Sequence, residues 1–264
     1  MSDALLYSVD KRGVATVTLN RPQKHNAFDD ALIAELTAQF KQIAADKTVR
    51  VVVLTANGKN FCAGADLGWM QRMAGYSEEE NRRDANALAE MLFTLNSLPQ
   101  PTIARVNGAA FGGAVGLVAC CDMAVATKLS QFCLSEVKLG LIPATISPYV
   151  IAAIGERQAR RYFLTAERFT ARRARRLGLV NETVTEEDLE PTVNGLIDSL
   201  LQNSPAAIAA GKQLIANVSK RSVDDKLLAY TSEQIAAIRV SQEGQEGLNS
   251  FLEKRLPAWR QGQE

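Results

Sequence analysis

Apolar residues alternate or run together through positions 4–9 and again through 13–19. Lys11-Arg12-Gly13 lies between them, and the pattern predicts a β-hairpin. The period then lengthens. Leu32, Leu36, Phe40 and Ile43 share one face of a helix that Asp29 or Asp30 can cap. Val49–Thr55 (VRVVVLT) reads as a short buried strand, and a second helix is expected from about Ser77 to Ser97, closed by Pro99. Thr102–Val106 predicts a strand, Gly113–Cys121 an apolar helix, and Met123–Thr127 and Phe132–Leu134 two short strands. After about Pro148 the pattern turns helical apart from Val180–Val184. Helices are expected at 157–165, 170–176, 186–203, 205–218, 222–239 and 243–254. Strands alternating with helices imply an α/β fold with a largely parallel sheet and right-handed crossovers. A composition shift near residue 200 divides the chain into a core, 1–200, and a C-terminal helical lobe, 201–264. Helical extensions without a core of their own pack on neighbours, so an oligomer is expected.

Composition narrows the field. At 264 residues, one main core with an extension is the expected organisation. Lys and Arg total 30 against 29 for Asp and Glu, so the global charge gives no reason to expect nucleic acid or a membrane surface. The longest apolar runs are too short or too interrupted to span a bilayer. Residues 1–20 lack the charged start and apolar stretch of a signal peptide, which makes the cytoplasm the expected compartment. Cys62, Cys120, Cys121 and Cys133 form no CxxC pair, and His25 is the only histidine, so no metal site is expected. Eight arginines between Arg157 and Arg176 read as a solvated or ion-paired surface. A basic patch for an anion is the sharper alternative, but no interleaved aromatics support nucleic acid.

The stretch from Pro101 to Pro143 carries the most chemistry. A buried strand enters the turn Gly112-Gly113, an apolar helix follows, and then come short strands and one acid, Glu136. A second glycine turn, Phe61-Cys62-Ala63-Gly64-Ala65-Asp66, follows another buried strand. Two such turns at adjacent strand ends can supply two backbone N–H donors to one oxygen. That arrangement suits a reaction that places negative charge on a carbonyl oxygen.

Several segments together resemble the enoyl-CoA hydratase/isomerase (crotonase) family. They are Leu19-Asn20-Arg21-Pro22 with Asn26-Ala27, Phe61–Leu67, Val106-Asn107-Gly108, Phe111-Gly112-Gly113, Cys121-Asp122, Phe132–Pro143, Arg175–Val180 and Phe251–Arg255. The resemblance covers nearly the whole chain in order. It implies a spiral of ββα units with a C-terminal helical trimerisation lobe, assembled as a trimer or a dimer of trimers. It also implies an acyl-CoA thioester substrate, with CoA as part of the substrate and no separate cofactor. By motif, the oxyanion hole falls on the N–H groups of Ala65 and Gly113, and the acid/base group is Glu136. Lys24, Ala27, Ala63, Gly64, Ala65, Asp66, Leu67 and Gly113 would hold the CoA ester. Phe251 and Lys254 of a neighbouring subunit would complete the pocket.

One position departs from the pattern. Hydratases of the family carry a second glutamate three residues after the oxyanion glycine, where this chain has Gly116. A single acid suits double-bond isomerisation. It also suits hydration if Glu136 shuttles the proton alone or another polar group positions water, with Ser135, Thr145, Ser147 and Tyr149 as candidates. GGAVGLVACCD, LSEVKLGLIPATISPYV and Asp66–Met70 are most similar to bacterial methylglutaconyl-CoA hydratases of leucine degradation and their isoprenoid-degrading relatives. A carboxylated acyl group would want a cation, for which Lys138 or Arg72 is the candidate, and Gly116 is expected to leave it space. A binder without catalysis is the remaining alternative, and retention of Glu136 argues against it.

Overall fold

The computed structural model describes residues 3–219 and 221–260. Strands β1 (Leu5–Val9) and β2 (Val14–Leu19) pair antiparallel, as the alternation requires. Asp10 holds their turn by accepting from the N–H groups of Arg12 and Val14 at 2.8 and 2.9 Å. Helix α1 (Asp30–Ala45) starts at Asp29, whose carboxylate accepts from Leu32 N at 2.9 Å, and it buries the four predicted residues together with Ile33. Strand β3 (Val51–Ala56) is buried throughout and lies parallel to β2. Next come α2 (Leu67–Met73) and α3 (Glu78–Asn96), the latter opened by a Ser77–Glu80 capping box. Strands β4 (Thr102–Val106) and β5 (Ala109–Phe111), helix α4 (Gly113–Cys120) and strands β6 (Met123–Thr127) and β7 (Gln131–Cys133) follow. Then come α5 (Ser147–Ile154), α6 (Glu156–Thr165), β8 (Phe169–Thr170), α7 (Ala171–Leu177), β9 (Glu182–Val184) and α8 (Glu186–Leu201). The chain ends in α9 (Pro205–Val218), α10 (Asp225–Val240) and α11 (Gln242–Leu252).

The strands divide between two sheets. The larger has the order β1-β2-β3-β4-β6-β9 and is parallel from β2 onward, while β5, β7 and β8 form the smaller one. Strand β4 belongs to the large sheet, β5 to the small one, and α4 follows; β6 and β7 repeat the split. The segment after β3 does the same in reduced form, because Cys62 bridges to Ala110 beside β5. The fold is thus the crotonase-type spiral of ββα units. Alternation along β3 serves two cores: Val52 and Leu54 face the main core with α1, α3 and α4, while Val51 and Val53 pack with Leu189, Val193, Ile197 and Leu201 of α8.

Sequence periodicity does not register four elements. Helix α2 has seven residues, β5 three and β8 two, all too short for a period to emerge. Helix α5 is compositionally apolar on most sides and reads only as the onset of helix. The arginine-rich stretch lies on α6 and α7, where Arg160 pairs with Glu156, Arg161 with Glu167 and Arg175 with Glu182. No helix among the described residues is long and apolar enough to cross a membrane.

Helices α9 to α11 are tied to the core at the start of the strands. Lys212 of α9 reaches the Asp122 carboxylate at 2.7 Å and the Gln100 carbonyl at 2.8 Å, just ahead of β6 and β4. Arg50, just ahead of β3, donates to Asn203 O at 3.0 Å. The lobe therefore lies at the opposite end of the strands from the glycine turns. Asp122 in turn accepts from Thr102 N and Oγ1 at 2.7 and 2.9 Å, so Lys212 closes a partly buried network. Lys212→Met should cost about 1–3 kcal/mol, the scale of a hydrogen bond to a charged group. Urea unfolding checks this, and an unchanged midpoint would mean the lobe is held by other contacts.

Candidate active site

The first glycine turn is built by backbone pairing with the loop that precedes α1. Phe28 N donates to Gly64 O at 2.8 Å, and Asp66 N donates to Phe28 O at 2.6 Å. These are the two bonds of a parallel bridge between Phe28 and Ala65. In such a bridge Ala65 sends its own N–H to the opposite side. Gly64 takes φ +104°, and a Cβ there would lie 3.5 Å from Phe111 O, so the turn rests on the end of β5. Asn26 braces the loop. It is fully buried, adopts φ 55°, donates from Nδ2 to Asn57 O and Asn60 O at 2.9 and 2.8 Å, and accepts from Arg21 N at 2.7 Å.

The second turn enters α4. Gly112 takes φ +55°, and its N–H donates to Cys133 O at 2.8 Å, which fixes β5 against β7. Gly113 is the first residue of α4, so its N–H has no carbonyl one turn earlier in the helix. Neither the Ala65 nor the Gly113 N–H donates to a protein acceptor among the described residues. The two predicted donors thus come from adjoining turns, with their amides free.

Glu136 stands beside them. It opens a 3-10 turn, Glu136–Leu139, after β7. A Cβ on Gly112 would lie 3.4 Å from its Oε1, so the carboxyl rests against the Gly112-Gly113 turn. Its Oε2 is buried and has no hydrogen-bond partner. Burial pushes the carboxyl above its ordinary 4.5. The same turn ends at Leu139 and Gly140 in the wall of a cleft of about 960 Å³. Trp69 and Met73 of α2, Leu88 of α3, and Leu141 and Ile142 make it largely apolar, with Asn81, Asp84 and Thr145 as its polar members. Of the four hydroxyls considered from sequence, Thr145 alone lines this cleft, and Ser147 Oγ is bonded to Ala144 O at 2.7 Å.

The remaining predicted residues fall into two groups. Ala27, Ala63, Gly64, Asp66 and Leu67 lie in the braced loop with Lys24, whose ammonium is 2.9 Å from Asp66 Oδ2. That contact holds the Asp66 carboxyl below its ordinary range, and Asp66 caps α2 through Gly68 N and Trp69 N. Leu67 is 77% exposed beside them. Phe251 and Lys254 lie at the end of α11, which packs on α9 and α10 and not on the glycine turns, and Phe251 is 81% exposed. Within one chain they do not join the site. Arg72 is paired with Asp30 at 2.6 Å and Lys138 is exposed; neither lines the cleft. Burial pushes the Cys62 thiol up to about 12, so this turn contributes backbone rather than a thiolate.

The expectation that Gly116 leaves space for an acyl chain is corrected. A Cβ there would meet Ile146 Cγ2 at 2.2 Å and Ile146 Cβ at 2.8 Å, with Leu92 Cδ2 at 3.5 Å. The volume is already occupied by a buried side chain from the segment before α5. Periodicity could not reveal this, because residues 116 and 146 meet only through the packing of α4 on α5.

The family model described as enoyl-CoA hydratase/isomerase matches residues 10–263. A crystal structure of an enoyl-CoA hydratase from Shewanella pealeana is 49% identical, with a TM-score of 0.94 over 97% of this chain and 96% of that one. An enoyl-CoA hydratase structure from Mycobacterium smegmatis is 35% identical, with a TM-score of 0.92 over 98% and 100%. The enoyl-CoA hydratase ACTT6 of Alternaria alternata is 34% identical over 259 residues, which is 96% of this chain and 83% of that protein.

Because Ile146 fills the space, Gly116→Ala should destabilise the fold by about 1–3 kcal/mol through overpacking. Gly116→Glu should be worse and compromise folding rather than restore a second acid. In an Ile146→Ala background the Gly116→Ala penalty should shrink. Thermal melts of the four-member cycle measure this coupling, and strict additivity would contradict the contact.

Proposed function

The chain belongs to the enoyl-CoA hydratase/isomerase family, and we propose that it adds water across the double bond of an α,β-unsaturated acyl-CoA. The finer reading is methylglutaconyl-CoA or a related branched, carboxylated enoyl-CoA of leucine or isoprenoid degradation, processed in the cytoplasm. One observation carries the hydratase-type assignment: the Glu136 carboxyl has Oε1 against a glycine turn whose neighbouring amide is free, and its other oxygen, Oε2, is buried without a hydrogen-bond partner.

The proposed chemistry uses these groups as follows. The thioester carbonyl oxygen accepts from Ala65 N–H and Gly113 N–H, which stabilise the charge that develops as the enolate forms. The Glu136 carboxylate takes a proton from water as the water oxygen bonds to the β-carbon and the π electrons move to the carbonyl oxygen. Protonated Glu136 then gives that proton to the α-carbon, and the carboxylate is restored. A carboxyl group whose proton affinity is raised by burial suits both halves of the step. Lys24 would turn from Asp66 towards the CoA phosphates. Ile146 in the place of a second carboxyl favours one alternative, isomerisation of the double bond by Glu136 alone.

The apolar C-terminal lobe supports assembly as a trimer or a dimer of trimers. Helix α9 buries no side chain within the chain, and Ile215, Val223, Val240, Phe251 and Leu252 are all exposed. In that assembly Phe251 and Lys254 would reach a neighbour's CoA site. Light scattering at micromolar concentration should give at least three times the mass of one chain; a stable monomer would overturn the assembly.

Glu136→Gln should lower turnover by about 10²–10⁴-fold while CoA-ester binding survives. Product mass on an acyl-CoA panel separates the two reactions, since hydration adds the mass of water and isomerisation does not. The acidic limb of wild-type kcat/KM should fall as pH drops through a value above 4.5, because the base must be ionised. The stability effect has the opposite sense. A raised carboxyl favours the fold below its unfolded value, and that contribution is lost as pH rises through the folded value. Glu136→Gln should therefore melt higher than wild type at neutral pH and lose that advantage near pH 4. Near-wild-type turnover in this variant would place the acid elsewhere.

A further inference from the structure

The apolar cleft beside Glu136 has a polar end on α3. Asp84 is half-buried there, and its Oδ1 accepts from the Trp69 indole N–H at 3.3 Å. Trp69 is 5% exposed, and its own backbone N–H donates to Asp66 at 3.2 Å. Asp84 is thus held by the same short helix that begins just after the Ala65 turn. Asn81 spends both of its amide hydrogen bonds on Tyr76 O and Ser77 O, which leaves its oxygen as an acceptor at the cleft. Among the described residues lining this cleft there is no lysine or arginine.

Along α3 this polar end is set apart from the layer that Gly116 occupies. Asp84, Leu88 and Leu92 fall at i, i+4 and i+8 on one stripe, and Leu92 lies against the Gly116 position of α4. Eight residues of helix span about 12 Å. An acyl chain entering the cleft from the Glu136 turn, past Leu139 and Gly140, would have the apolar side chains of Trp69, Met73, Leu88 and Ile142 around it and the carboxyl of Asp84 in the same wall.

Given the acyl-CoA reading above, on which this rests, we propose that Asp84 is a specificity-determining residue that hydrogen-bonds an oxygen group at the distal end of the acyl chain. A hydroxyl there donates to the ionised Asp84 carboxylate. A distal carboxylate shares one proton with Asp84, so its binding takes up a proton. The groups around Asp84 are Trp69 and Arg72 of α2, Asp30 of α1, Tyr76 in the connecting loop, and Glu80 and Arg83 on its own helix. Burial first, and then Asp30, hold the Asp84 carboxyl above its ordinary range, against the Trp69 hydrogen bond and Arg72. Arg72 is itself paired with Asp30, so the two largely offset each other.

The test compares the plain six-carbon enoyl-CoA with its ω-hydroxy and ω-carboxy derivatives, using wild type, Asp84→Asn and Asp84→Leu. The readout is the ratio of kcat/KM for each derivative to that for the plain chain. Asp84→Leu should lower the favoured ratio about ten- to hundredfold, mainly through KM, as expected when a buried polar partner is lost. If the distal group is a hydroxyl, Asp84→Asn should retain part of the preference. If it is a carboxylate, the wild-type ratio should fall as pH rises through the Asp84 value, and Asp84→Asn should remove that slope. Calorimetric affinities of the saturated counterparts read the same discrimination without turnover. Ratios unchanged within twofold in both variants would overturn the proposal, as would an equal loss on all three chains. Absence of wild-type turnover on every chain would instead overturn the hydratase reading, and the affinities would still judge Asp84.

Discussion

The site depends on a backbone constraint: two glycine turns are held edge to edge by short parallel bridges, Phe28 with Ala65 and Cys62 with Ala110. A buried amide normally finds a protein partner, whereas one open to solvent need not, and Ala65 is exposed and Gly113 partly so. Here the bridges occupy the N–H groups of Phe28, Cys62, Asp66 and Phe111 and leave those of Ala65 and Gly113 free on adjoining segments. The ββα spiral makes this possible, since each ββ connection leaves the large sheet and enters the small one at the same end of the strands. Asn26 fixes the loop that supplies Phe28, and Gly112 gives the only positive φ at the entry to α4. The chemistry of the site is therefore set by the main chain, with side chains holding it in place.

Glu136 depends on the same constraint in another way. Gly112 has no side chain, so the carboxyl approaches the turn directly, and a methyl group would already be in contact with Oε1. The approach places Oε2 in the interior without a partner. An unpaired buried carboxylate costs stability, and that cost appears as a raised proton affinity. A carboxyl so placed holds a proton more tightly than a solvated carboxylate does. The Asp66 carboxyl, two residues after Gly64, shows the contrast. Lys24 and the amides of Gly68 and Trp69 hold it ionised, and it serves the loop and the start of α2.

Much of this was legible in the sequence because it is local. The hairpin, the buried face of α1, the strands β3 and β4, and the positions of Ala65, Gly113 and Glu136 all follow from patterns and motifs within a few residues. Short elements escaped for the same reason. Helix α2 exists because Asp66 caps it and Trp69 is buried below it, and seven residues carry no usable period. Phe251 and Lys254 were named from a motif, yet in the single chain they lie in the lobe tied to the other end of the strands. The polar end of the cleft was missed as well. Thr145 is named by its place after Glu136, but nothing in the spacing of Asn81 and Asp84 announces that α3 and that segment line one cleft.

Gly116 shows why a motif position must be read with its packing. A glycine where the family resemblance implies an acid suggests a vacancy, and a vacancy suggests room for substrate. The buried volume is instead taken by Ile146, whose Cγ2 lies where a Cβ would be placed. Interiors are packed to crystal density, so losing a long side chain from α4 is matched by gaining one from the segment before α5. The two positions act as one steric unit. Changing the glycine alone tests packing rather than catalysis. One carboxyl, Glu136, lies against the glycine turn, and a second, Asp84, lies about 12 Å along α3 from the layer that Gly116 occupies. Asp84 stands on a different element from Glu136, on the α3 wall of the cleft. The two carboxyls thus meet different surroundings, one with a buried, unpartnered oxygen and the other held by the Trp69 indole.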